Sequence, residues 1–288
     1  MSKKQKRIFW PVALIVALAL SALALASSRK ASGRRTSEVQ SPVSQNPRAV
    51  ANAKAEDYVR AGQLWPQLRW NLKALGDRLE KRGKERLTLT GTLSRAGDAA
   101  PVPVLLILEF PNRLRLDIQE RGPHHVITFN GERASKGGGA LDKREEDLIE
   151  TLIYDTAEHF FAGQTRGTVM RCLGQRFRAD DGTTPNYTGP YYDLYEVSDQ
   201  IKASPDARFQ SKVFYFNSDT LLLERVRYQI MRNGAPVEVE TRISNWQQAQ
   251  GQQAPRRIVR LENGQPALVL TITGLAIGQR VDDGSFGQ

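Results

Sequence analysis

Three Asn-Gly pairs, Asn130-Gly131, Asn233-Gly234 and Asn263-Gly264, constrain this chain more than any other local signal. Each falls between runs in which apolar and polar residues alternate. Asn-Gly tolerates positive φ at both positions, as a two-residue type I′ turn requires, and that turn matches the twist of paired antiparallel strands. The runs lie at residues 87–93, 102–110, 113–119, 125–130, 191–197, 212–217, 222–232, 237–246, 256–262 and 267–277. The pattern predicts a meandering antiparallel sheet of about ten strands, too wide to stay flat without curling. Residues 104–108 are apolar on both faces, so both sides of that strand are expected to be covered.

Two segments carry a helical period instead. In residues 142–161, Leu148, Leu152, Ile153, Phe160 and Phe161 recur at helical spacing. Glu145, Glu146, Asp147 and Glu150 load the start of that segment, where the helix dipole favours negative charge. The cluster Glu145-Glu146-Asp147 is expected to be a solvated helix start. Pro66, followed by Leu68, Leu72, Leu75 and Leu79, predicts a second amphipathic helix ending near Gly83. Residues 167–190 read as a long loop. The fold class is α+β, mainly β: a curled antiparallel sheet with helices covering its mouth.

The formal net charge of +10, from 41 basic and 31 acidic residues, raises nucleic-acid binding as a reading. Its location argues otherwise. Residues 1–35 hold eight Lys and Arg and no Asp or Glu, which leaves the body close to neutral. Residues 8–26, between the basic clusters, carry no charge. A positive start, an apolar run and Ala24-Leu25-Ala26 form the pattern of a secretory signal cleaved after Ala26. The run is also close to the roughly 20 residues that span a bilayer. A retained inner-membrane anchor is therefore the alternative, and both export the body. Residues 27–55 read as a mobile tether, with the ordered domain over 56–288.

No residue pattern nominates a catalyst. One Cys excludes an internal disulfide framework and a Cys-based metal cage. His124 and His125 point to opposite sides of a strand, and His159 reads as a boundary residue of the helix. Cys172 has no His nearby in sequence and reads as a buried inert thiol. Gly137-Gly138-Gly139 lacks the Lys-Ser/Thr of a phosphate cradle, and no nucleophile elbow or zincin motif occurs. No catalytic residue, metal ligand or cofactor is expected, and a hydrolase assembled from distant residues is the weakest reading. A curled sheet wider than its own side chains encloses a ligand space. Apolar walls suit an acyl chain, at about 0.8 kcal/mol per buried methylene. The same residues can instead fill a solid core.

The stretches at 106–118 (LILEFPNRLRLDI) and 126–136 (VITFNGERASK) resemble the strand, strand and hairpin of the bacterial lipoprotein-carrier superfamily (LolA/LolB/RseB-like). The C-terminal stretches VFYFNSDTLLLERVRYQI, VEVETRISNWQQ and LTITGLAIGQRVDDGSF resemble it as well, in the same order. The resemblance implies an unclosed β-barrel with a helical lid, a cavity for lipid acyl groups and a periplasmic location. In the carrier of that superfamily a basic residue before the strand proline helps latch the lid. Here Phe110 precedes Pro111, and residues 165–190 are an insert.

The expectation is an exported, non-catalytic carrier of a lipid or acylated protein, with no nucleic acid as partner. Acyl chains would sit between Leu106, Leu108, Leu116, Ile118 and Val126 of the sheet and Leu152, Phe160 and Phe161 of the helix. A one-residue error in register would turn any of these strand residues to the other face. A membrane-tethered envelope sensor or regulatory module is the second expectation.

Overall fold

The computed structural model describes residues 59–60, 84–119, 125–137, 139–162, 169–179, 184–198, 211–280 and 284–286. The apolar run at 8–26, the tether at 27–55 and the helix expected around Leu68–Leu79 lie outside the described residues.

The strands are β1 (Val59–Arg60), β2 (Glu85–Arg95), β3 (Val102–Glu109), β4 (Arg113–Ile118), β5 (His125–Phe129), β6 (Ala134–Lys136) and β7 (Val169–Arg178). They continue with β8 (Tyr191–Ser198), β9 (Lys212–Asn217), β10 (Leu223–Arg232), β11 (Ala235–Ser244), β14 (Arg257–Glu262) and β15 (Gln265–Gln279). These thirteen form one antiparallel sheet in the order β1-β7-β8-β9-β10-β11-β14-β15-β2-β3-β4-β5-β6. Strands β12 (Gln247–Ala249) and β13 (Gln252–Ala254) make a separate two-stranded hairpin. Among the described residues, β1 and β6 end this order and do not pair with each other, so the sheet is not closed into a barrel.

Two of the three Asn-Gly pairs form the expected turns. Asn233 (φ 52°) and Gly234 (φ 78°) join β10 to β11, and Asn263 (φ 47°) and Gly264 (φ 80°) join β14 to β15. At the third pair, Gly131 has positive φ and Asn130 does not. Asn130 Oδ1 accepts from the backbone N–H groups of Glu132 and Arg133, and this side-chain turn draws a longer loop from the same dipeptide.

The region read as a long loop contains β7, which pairs with β8 through two register shifts. Gly174 (φ 136°) and Arg176 (φ 59°) sit at those shifts. Bulges of this kind interrupt the two-residue alternation that marks a strand in sequence. Gly91 marks a close approach of β2 and β15: a Cβ there would lie 2.1 Å from the carbonyl oxygen of Thr271.

Register fixes which side chains share a face. Leu106 lies opposite Leu89 on one side and Leu116 on the other, and Leu116 lies opposite Ile127. That face is apolar from Leu87 to Phe129. The chain between β6 and β7 packs onto it as three short pieces: α1 (Lys143–Ile149), a π-helical turn (Glu150–Tyr154) and α2 (Ala157–Ala162). The sequence predicts one unbroken helix here. Asp142 caps α1 with a capping box: its side chain accepts from the N–H of Glu145, and the Glu145 side chain accepts from the N–H of Asp142.

Candidate functional site

The helical segment 143–162 meets the sheet through two apolar clusters. In the first, Leu148, Ile149, Leu152 and Ile153 pack with Leu106, Leu108, Leu116, Ile118 and Ile127. In the second, Ala157, Phe160 and Phe161 pack with Met170, Tyr195, Phe214 and Phe216. The Phe160 ring lies 4.9 Å from that of Phe214 and 5.0 Å from that of Phe216.

Seven of the eight expected ligand-contacting residues are buried: Leu106, Leu108, Leu116, Ile118, Leu152, Phe160 and Phe161. They do not line one continuous space. Phe160 and Phe161 belong to the second cluster and the other five to the first. Val126 pairs with Asp117 rather than Leu116, which turns it to the opposite face. Ile127 takes the inward position and is 0% exposed. The run Val126-Ile127 is apolar at both positions, so composition there does not reveal which one faces inward.

Sequence reasoning missed a buried charged network between the segment and the sheet. Asp155, at the end of the π-helical turn, is 0% exposed. It accepts from Lys212 Nζ (2.7 Å), Tyr228 Oη (3.1 Å) and Thr241 Oγ1 (2.5 Å), on three successive strands. Lys212 also pairs with Glu150. Arg260 on β14 donates to Asp147, Glu262, Tyr228 Oη and Thr151 Oγ1. Arg232 joins Asp147 to Glu262. The acids expected to be solvated include Glu145 and Asp147, which are instead buried. Glu145 pairs with His125 (2.6 Å) and Lys136 (2.7 Å), which fixes the start of α1 over β5 and β6. The available signal was a charged residue at an inward strand position: Arg260 lies two residues from Ile258, on the core face of β14.

At Lys212 burial and its partners act in opposite directions. Burial lowers the affinity of Lys212 for its proton, but the charges of Asp155 and Glu150 and their hydrogen bonds raise its pKa above the ordinary value. Burial and the Asp155 charge push the Tyr228 hydroxyl far up, so it stays a neutral donor. Among the described residues, no group of three or more His, Cys, Asp or Glu is placed to hold a metal ion. Cys172 is partly buried, and burial raises its pKa.

Comparison with protein-family models and with curated proteins gives no match. Among solved structures, a LolA superfamily protein from Nitrosomonas europaea aligns at 12% identity and a TM-score of 0.46, over 76% of this chain and 97% of its own. A putative outer membrane lipoprotein-sorting protein domain from Vibrio parahaemolyticus also aligns, at 12% identity and a TM-score of 0.43, over 74% and 94% of the two chains. A DUF1329 family protein from Desulfovibrio piger gives 12% identity, a TM-score of 0.42, and 76% and 96% coverage. At these values no residue role follows from the LolA-like likeness. Position 110, where the sequence departs from the carrier's latch, holds a core phenylalanine that is 5% exposed. Segment 143–162 is tied to the sheet by Lys212, Arg232 and Arg260.

Proposed function

We propose that the protein is an exported, non-catalytic carrier that accepts the acyl chains of a lipid or lipoprotein on the sheet face beneath segment 143–162. The observation that supports this reading is the pair of apolar clusters under one short segment that joins no strand. Leu148, Ile149, Leu152, Ile153, Phe160 and Phe161 are each at most 5% exposed. Their burial contributes about 9–18 kcal/mol together, and an acyl chain of about sixteen carbons contributes about 12 kcal/mol on the same scale. A chain that displaces the segment therefore replaces a comparable apolar area. The charged network opposes opening less than its contacts imply, because rehydrated ions recover most of what they lose in Coulomb attraction.

The test is native mass spectrometry of the full-length protein from envelope fractions, with uptake of a fluorescent fatty acid. Bound lipid and saturable uptake are expected. Absence of both overturns the reading.

A second reading, a membrane-tethered sensor or regulatory module, is favoured by one observation. The face beneath the segment is filled by the protein's own side chains, so the closed form is complete without cargo. Cross-linking in intact envelopes that captures a membrane protein, with no lipid in the purified protein, would decide for it.

A further inference from the structure

The sheet face opposite the helical segment carries a cavity of about 860 Å³. Arg225, Arg242, Arg257, Trp246, Val259 and Leu261 line it. On their strands, Arg225, Val259 and Leu261 alternate with Val226, Ile258 and Arg260 of the helix-covered face. These three residues thus face away from the helical segment, while Leu222, Ile243 and Trp246 at the cavity border the second apolar cluster.

Its charges are arranged against their own stability. Arg225 and Arg242 lie directly opposite each other in the β10–β11 register, and like charges at that spacing repel. One carboxylate, Glu240, serves both and is shared with Arg227. Glu240 lies 2.6 Å from Arg242 and 2.7 Å from Arg227, but 3.8 Å from Arg225. Glu224 also lines the cavity, and its oxygens accept from Tyr192 and Asn217. Arg257 is exposed, and among the described residues its side chain has no ion pair or hydrogen bond. The buried indole N–H of Trp246 has no hydrogen-bond partner among the described residues either. Below these donors the floor is apolar, formed by Val259 and Leu261 on β14.

We infer that this cavity binds an organic anion, a phosphate or carboxylate carried on an apolar or aromatic body. Guanidinium groups are suited to either head group because their planar N–H donors match its oxygens. A bound anion relieves the Arg225–Arg242 repulsion and gives Arg257 and the Trp246 N–H an acceptor. The apolar floor takes the body of the ligand. A cavity of this size falls in the range of small-molecule sites, and its mixed polar and apolar lining suits a ligand with a charged head and an apolar body.

The probe is 2-naphthyl phosphate, titrated calorimetrically into the full-length protein in neutral detergent. Parallel arms use 2-naphthoate, 2-naphthol and inorganic phosphate. Expected is one site for the naphthyl phosphate, weakening with added salt, with naphthol and inorganic phosphate each at least about tenfold weaker. The naphthoate arm tells a phosphate preference from a carboxylate one. Arg257→Ala, at an exposed position, should weaken binding at least about tenfold, whereas Arg133→Ala in the distant β5–β6 loop should leave it unchanged. Equal binding by the two variants, naphthol or inorganic phosphate as tight as the naphthyl phosphate, or no binding at all would overturn the inference. Fatty-acid uptake beneath segment 143–162 is indifferent to Arg257→Ala, so failure here leaves the carrier reading standing.

Discussion

Arg260 on β14 donates to Asp147 on α1 across 3.1 Å, with 1% of the arginine side chain exposed. The pair joins the segment to the sheet, so it crosses the seam along which segment 143–162 would lift in the proposed carrier. Weakening it with Arg260→Lys keeps the charge and removes the planar fork. This variant should take up a fluorescent fatty acid faster than wild type and melt at a lower temperature. Unchanged uptake kinetics in a destabilised variant would count against opening along this seam.

Asp155 bears more of the network than any surface pair. Asp155→Ala strands the Thr241 hydroxyl, leaves Lys212 only Glu150 and Tyr228 only Arg260, and should cost about 3–5 kcal/mol in chemical denaturation. Glu146→Ala, which breaks an exposed pair with Lys143, should leave the midpoint within error.

Acid should destabilise the protein through Glu109. This carboxylate is 0% exposed and contacts Arg86, Arg113 and Arg280. Burial pushes its pKa up, but hydrogen bonds from Arg280 and Arg86 and their charges hold it below the ordinary 4.5. The stability it contributes is therefore present above pH 4.5 and is lost as pH falls through the lower folded value. Glu240, whose pKa is also lowered, acts in the same window. Glu109→Gln should be less stable than wild type at pH 7 and show a flatter loss of stability below pH 4.5, measured by thermal melts across pH.

The β5 register makes a sharp pair of variants. Ile127→Ala removes a fully buried side chain and should cost about 2–5 kcal/mol. Val126→Ala, on the other face, should cost much less. Similar losses would mean that the β4–β5 register differs from Asp117 opposite Val126.

Cys172 should react slowly with a thiol reagent in the folded protein. Burial raises its pKa, and the hydrogen bond from the Gly174 backbone only partly offsets this. Denaturant should release full reactivity. Rapid labelling at neutral pH in native buffer would contradict the burial described.

Local chemistry made the sheet legible before the structure did. Alternation and the Asn-Gly pairs predict β2 to β5, β8 to β11 and both hairpins that close on positive-φ asparagines. β7 escaped because its bulges at Gly174 and Arg176 break the alternation. The candidate site was half legible, for a related reason. Periodicity identifies apolar residues on a face, but it does not tell whether Val126 or Ile127 points inward. Nor does it tell that the helix acids meet Lys212, Arg232 and Arg260, which lie 57 or more residues further along the chain. Long-range charge pairing leaves no trace in a local pattern.

The two free ends of the sheet have a consequence for crowding. β1 spans two residues and β6 three, the latter with Lys136 engaged by Glu145. An open sheet normally offers its outermost strands as templates for another chain. Among the described residues, β1 covers only Val169 and Met170, so the outer edge of β7 from Arg171 to Arg178 is the longer template. At high local concentration, pairing with another chain is therefore expected to begin on the β7 side rather than at the three-residue β6.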